Sequence, residues 1–153
     1  MRNTTRRRAV AALAAGAALG AVLAMPGAAH AANADSVCNR GEFCAYSGTG
    51  LTGSVRLDRV GDWSGSVSGV RSLVNKGNPQ TGADHIRYSG WVNYGSYYRQ
   101  VTGCLHYDDP NASGWTPGSW VTFPATTGLT SAKWGGECSS GEPTMKLGRP
   151  IYA

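Results

Sequence analysis

Four cysteines decide most of what this chain can become: Cys38, Cys44, Cys104 and Cys138. The first two lie six positions apart, inside the stretch CNRGEFCAYSGTGLTGS, which is rich in glycine and poor in helix formers. An even number of cysteines in a short exported chain implies a disulfide framework, and four allow three pairings. Of the three, Cys38–Cys44 with Cys104–Cys138 is the one expected. It closes one short and one medium loop, contributing roughly 2 and roughly 4 kcal/mol through chain entropy. A zinc site made of cysteines needs paired short spacings, and only one short pair is present.

The export reading rests on the first 31 residues. Arg2, Arg6, Arg7 and Arg8 precede the apolar run AVAALAAGAALGAVLAM, and small residues stand at Ala29 and Ala31. A basic region, an apolar stretch and an A-x-A site define a secretory signal peptide, expected to be cut after Ala31. The run is alanine-rich and ends in a cleavage site, which argues against a membrane anchor. The expected mature domain is therefore 32–153, secreted and extracellular.

Removing the leader changes the charge argument. It holds four of the fourteen Lys and Arg and none of the nine Asp and Glu, so ten against nine remain, a net of about +1. No charge-driven case for nucleic acid or an anionic membrane survives.

Downstream of Ala31 no sustained helical period exists. Apolar residues alternate in short runs: SVRLDRV, GVRSLVN, DHIRYSGWVNY, TGCLHYDD and GSWVTFP. Glycines separate nearly all of them. Many short strands with turns between them define an antiparallel all-β domain, a small sandwich or barrel. The segment 83–99 leaves room for one helical turn and no more. A faint echo links FCAYSGTGLTG, leading into SVSGVRSLVN, with GCLHYDDPNASG, leading into TGLTSAKWGG. Two copies of one unit, each unable to bury its apolar face alone, would share a core as a pair of four-stranded Greek keys.

Tyr46-Ser-Gly-Thr-Gly-Leu51-Thr-Gly53-Ser54 resembles the hairpin signature of βγ-crystallin Greek keys, with Leu51 where an aromatic residue is usual. Together with the leader, the stretches VCNRGEFCAYSGTGLTGS and DWSGSVSGVRSLVNKG are similar to secreted actinobacterial proteins of peptidase inhibitor family I36. The resemblance spans about Val37 to Gly77. It implies a crystallin-like Greek-key sandwich, with Tyr46, Leu51, Gly53 and Ser54 forming a folded hairpin. It also implies a monomeric inhibitor of extracellular proteases, above all zinc metalloproteases, with the zinc on the target and no cofactor on this chain.

Three kinds of chemistry can be weighed on the residues. Calcium clamps of the crystallin type would fall on Asp62–Val67 and Thr126–Ser131, each with one acidic position at most, whereas calcium takes six to eight oxygens. For catalysis, His106 precedes Asp108 and Asp109, but no G-x-S-x-G setting accompanies it, and YDDPNASG reads as a turn. No enzymatic role is expected. Trp91, Tyr94, Tyr97, Tyr98, Trp115 and Trp120 suit either a core or stacking on sugars and proteins. The alternative function is accordingly a non-inhibitory crystallin-like module that binds calcium weakly or cell-surface carbohydrate.

A substrate-like inhibitor presents a rigid segment, so that binding costs little conformational entropy. Against a thermolysin-like protease the residue after the scissile position should be large and apolar. Cys104-Leu105 meets that need, with the disulfide on one side, and His106 and Tyr107 continue into a proline-bearing loop. Cys104, Leu105, His106 and Tyr107 are therefore the expected protease contacts.

Overall fold

A computed structural model describes residues 38–152, and the expected leader lies outside them. Seven strands make up the regular structure: β1 (Phe43–Tyr46), β2 (Val55–Arg59), β3 (Trp63–Asn75), β4 (His85–Asn93), β5 (Tyr97–Leu105), β6 (Trp120–Gly135) and β7 (Lys146–Tyr152). All pairings are antiparallel, and the strands form one sheet in the order β2-β1-β3-β6-β4-β5-β7. Among the described residues there is no helix; residues 83–99, where one helical turn was allowed for, form β4, a tight turn and the start of β5.

Alternation explains the strands. In β4, Ile86, Tyr88 and Val92 are buried while Trp91 and Asn93 face solvent. One face thus meets the core and the other meets water. β3 and β6 are much longer than their neighbours, and their pairing shifts register between Ser64 and Val67, Val67 and Val70, and Val70 and Ser72. Such irregularities bend a strand and increase its twist. The burial phase of β6 changes accordingly, from Val121, Phe123, Thr127 and Leu129 to Ala132. Bending in the two central strands lets a single sheet wrap one core.

That core joins Phe43 and Ala45 of β1, Leu57 of β2, Leu73 of β3, Ile86 and Tyr88 of β4, Leu105 of β5 and Phe123 of β6. Each large apolar side chain contributes about 1.5–3 kcal/mol relative to exposure. β1 is buried on both faces: a second cluster of Cys38, Cys44, Tyr46 and Val74 packs on its other side, with Leu51 and Val55 at the margin.

The chain is built twice. β1 and β2 form a hairpin and β3 returns to the far side of β1; β4 and β5 form a hairpin and β6 returns to the far side of β4. The two units meet through β3 and β6. This duplication differs in two ways from the one read in the sequence. The hydrogen-bonded sheet is continuous, with three strands per unit and β7 added at the end. The echo that aligned Cys44 with Cys104 is also one strand out of step, because Cys44 lies on the first strand of its unit and Cys104 on the second of its own.

Candidate functional site

The disulfides are Cys38–Cys44 and Cys104–Cys138. The first closes a loop that leans on the end of β3. Gly41 N donates to Lys76 O (2.8 Å), Lys76 N donates to Glu42 O (2.9 Å) and Lys76 Nζ donates to Cys38 O (2.9 Å). The second fastens the end of β5 to the segment after β6. Tyr88 adds a bond from its hydroxyl to Thr144 O (2.6 Å), and burial pushes that hydroxyl far above its ordinary pKa.

The connection between β1 and β2 folds back over the sheet. Gly48 N donates to Thr52 O (2.9 Å), Gly50 N to Thr122 Oγ1 (3.1 Å) and Leu51 N to Ser72 Oγ (3.0 Å). A Cβ on Gly48 would stand 2.4 Å from Thr52 Oγ1, and one on Gly53 2.9 Å from Gly48 N, so neither position admits a side chain. Leu51 has a φ of 61°, a left-handed conformation that costs an L-residue about 1–2 kcal/mol. Its side chain packs beside Cys38, Cys44, Tyr46 and Val74, which offsets that cost.

Most of the polar organisation gathers at one end of the sheet, around Asn75. This fully buried side chain donates from Nδ2 to Asp84 O (2.7 Å) and Leu105 O (3.3 Å) and accepts from Gly77 N (2.8 Å). Its backbone N donates to Ser119 O (2.9 Å) and its carbonyl accepts from Asp108 N (3.0 Å). One residue thus joins the end of β3 to the start of β4, the end of β5 and both ends of the β5–β6 connection. Arg40, inside the first disulfide loop, reaches the same place. Its guanidinium donates to the carbonyls of Asp108 and Gly77, with the Asp108 carboxylate 4.0 Å away.

Beside Asn75 stands a chain of ionisable groups. Asp84 Oδ2 accepts from Gln80 N (3.1 Å), and Asp84 Oδ1 accepts from His85 Nδ1 (2.7 Å). His85 Nε2 lies 2.8 Å from His106 Nδ1 and 3.1 Å from Glu137 Oε2. The His85 ring is almost wholly buried, with the rings of His106 and Tyr107 at centroid distances of 4.7 and 6.3 Å. Pairing of β4 with β5 brings the histidines together. Ile86 faces Leu105 and Asn93 faces Tyr98, so continuing that register sets position 85 opposite 106.

From this base the loop 106–119 projects. Asp108 Oδ1 accepts from Thr116 N (3.0 Å), Asp109 N donates to Thr116 Oγ1 (2.7 Å) and His106 N donates to Gly118 O (3.1 Å). Asp109 Oδ1 caps the turn by accepting from Asn111 N (2.8 Å). Beyond these ties, Pro110 to Trp115 face solvent, and the Trp115 ring is 49% exposed.

Two of the expected contact residues are misplaced by the sequence reading. Cys104 and Leu105 are fully buried. β5 is covered on both sides here: Leu105 enters the core, while Cys104 lies under the segment that contributes Cys138 and Pro143. Neither can meet a partner in this fold. His106 and Tyr107 are half-buried at the root of the loop, and His106 bonds to His85 rather than to Asp108 or Asp109. The segments weighed for calcium run within or beside β3 and β6, and the one carboxylate, Asp62, accepts from Trp134 N (2.9 Å) and lies 3.5 Å from Lys133 Nζ.

A groove of about 650 Å³ lies on the outer face of β4, β5 and β6. Arg87, Lys133 and Lys146 line it among the hydroxyls of Ser89, Thr102 and Ser131. Two of its cations are engaged: Arg87 with Glu142 (3.2 Å) and Lys133 with Asp62.

Sequence reasoning missed Asn75, Arg40, Asp84 and Glu137. A usable signal existed for the histidine pair. A hairpin centred on NYGSYY, with Asn93 opposite Tyr98, gives paired positions summing to 191, and 85 and 106 also sum to 191. No protein-family model, curated protein or solved structure matches the chain.

Proposed function

We propose that the protein is a secreted peptidase inhibitor with a crystallin-like fold, acting on an extracellular protease, with zinc metalloproteases as the first class to test. The contact surface in this reading is Pro110–Trp115, in place of Cys104 and Leu105. The observation that carries it is a loop whose tip is open to solvent while its root is tied by Asp108, Asn75, Arg40 and the Cys104–Cys138 bridge. A segment already held in one conformation loses little entropy on docking, and an exposed tryptophan is the residue type that most often anchors such contacts. The resemblance to family I36, the leader and the hairpin at Tyr46–Ser54 support the same reading. Two disulfides agree with an oxidising compartment outside the cell.

The test is a panel of secreted proteases, thermolysin-class enzymes included, titrated with the purified protein. Stoichiometric loss of activity is expected with at least one of them. Trp115→Ala should raise the inhibition constant by about tenfold or more while leaving the melting temperature unchanged. Full protease activity across the panel, or equal inhibition by the variant, would overturn the reading.

A second reading has an observation of its own. Trp91 pairs with Gln100 and Asn93 with Tyr98, so two aromatic rings and two amides share the exposed outer face of β4 and β5. Rings beside amides suit a sugar, which stacks on one and hydrogen-bonds the other. Quenching of tryptophan fluorescence by cell-wall oligosaccharides, lost in Trp91→Ala, would favour the carbohydrate module over the inhibitor.

A further inference from the structure

We infer that His85, His106 and Glu137 form a binding site for a divalent transition-metal ion of the zinc class, with Asp84 as the group that orients His85. The starting point is an over-subscribed atom. His85 Nε2 has a single bonding direction, one N–H or one lone pair. Two groups nevertheless compete for it, His106 Nδ1 at 2.8 Å and Glu137 Oε2 at 3.1 Å. In the metal-free state a shared proton satisfies one of them. His106 and Glu137 approach Nε2 separately and do not share one cluster of donor atoms, so a cation satisfies all three only once the exposed Glu137 side chain closes towards His106, and it displaces that proton as it binds.

The donor set selects the metal. Two imidazoles and one carboxylate suit zinc and its first-row neighbours, and calcium and magnesium prefer oxygen alone. With bonds of about 2.0–2.1 Å, tetrahedral coordination needs neighbouring nitrogens about 3.3 Å apart. The imidazoles must therefore separate by about half an ångström. The shift falls to His106, which is half-buried at the root of a loop. The Glu137 side chain is 75% exposed, so it can swing onto the ion, and its side of the cluster is the route by which the ion arrives. Three protein ligands leave a fourth position to water.

Two features hold the backbones that carry the ligands, and the His85 ring, in advance. Asp84 Oδ1 accepts from His85 Nδ1, which leaves Nε2 as the free donor atom; a carboxylate behind a ligating histidine fixes the ring and raises its basicity. Cys104–Cys138 joins the two backbones that carry the other ligands, because His106 follows Cys104 by two residues and Glu137 adjoins Cys138. Pairing of His85 with Gly135 brings the third into place. The disulfide sulfurs are not donors; their role is to set the spacing.

This inference is independent of the inhibitor reading, and its test uses no protease. The full-length, disulfide-intact protein is titrated with zinc and, in parallel, with cobalt. One ion per chain is expected, with visible cobalt absorption of tetrahedral type and a melting temperature several degrees higher at about tenfold molar excess. His106→Gln keeps a polar side chain in place and should abolish the cobalt spectrum. Glu137→Gln should weaken binding about tenfold or more, and Asp84→Asn by about ten- to a hundredfold. If Asp84→Asn fails to fold, the two exposed-side variants still decide the matter. Absence of any spectrum or thermal shift with both metals overturns the site, as does binding that persists unchanged in His106→Gln.

Discussion

The two three-stranded units share one connectivity and differ in where they spend their loops. In the first, eight residues join β1 to β2 and fold flat against β3 and β6. In the second, the hairpin between β4 and β5 is tight, and length is moved to the two connections that flank β6. The long connections carry His106, Trp115, Glu137 and the second disulfide; the short ones carry packing. The repeated topology thus keeps the β1–β2 loop packed on the sheet and leaves the loop 106–119 open to solvent at its tip, the kind of loop on a rigid frame that is free to carry function.

Variants can break that division or sharpen it. The largest effect is expected for Leu105→Asp, which places a carboxylate in the core at a position that is fully buried. A loss of about 4 kcal/mol or more, seen as failure to fold or a collapsed urea midpoint, would mark this residue as scaffold. A merely weakened protease contact in a stable protein would restore it as a docking residue.

Next come the bridges. Replacing Cys104 and Cys138 by serine should cost roughly 4 kcal/mol, against roughly 2 for Cys38 and Cys44, because the closed loops differ in length. Equal losses in urea denaturation would deny the second half its greater dependence on a staple. The smaller pair should also quicken hydrogen exchange at Asp108 N, since Arg40 is held inside the first loop and bonds to Asp108.

Asn75→Ala removes the partners of two buried carbonyls and one N–H. A cost of about 2–3 kcal/mol is expected, with the loop 106–119 the first segment to lose exchange protection. Uniform loss across both units would show that Asn75 serves the sheet as a whole.

The smallest effect is expected at Tyr88. Burial raises its hydroxyl pKa, so above about pH 10 the unfolded chain sheds a proton that the fold retains. Stability from this group is complete below that pH and falls as pH rises through it. Tyr88→Phe should cost about 1 kcal/mol near neutrality through the lost bond to Thr144 and should flatten the alkaline decline.

The strands were legible where alternation was clean. HIRYSGWVN shows it best, with Ile86, Tyr88, Gly90 and Val92 buried at every second position; SVRLDRV holds β2 and GVRSLVN the second half of β3, although Leu57 and Asp58, and Ser72 to Asn75, are buried consecutively. β7 escaped notice because KLGRPIY carries Gly148 and Pro150 and little that is buried. The length of β6 was hidden by Pro124, Gly128 and the change of burial phase that bends it. Cysteine counting reached both bridges. The cluster at the sheet's end was harder to see, since Asn75 ends β3 while Asp84, His106 and Glu137 come from three separate connections, and they meet only once register is fixed. Leu105 was misread for a related reason: bond chemistry suggested an exposed apolar residue, but burial is settled by what covers β5 on both sides.

An open sheet has two rims, here β2 and β7. Unsatisfied main-chain groups on such rims invite another chain to add itself, a route to fibres. β7 counters this with Pro150, which has no N–H to offer, between the charged Arg149 and Lys146 on one side and the chain end on the other. β2 is only five residues long and carries Arg56, Asp58 and Arg59. The molecule is therefore guarded against sideways polymerisation at high concentration.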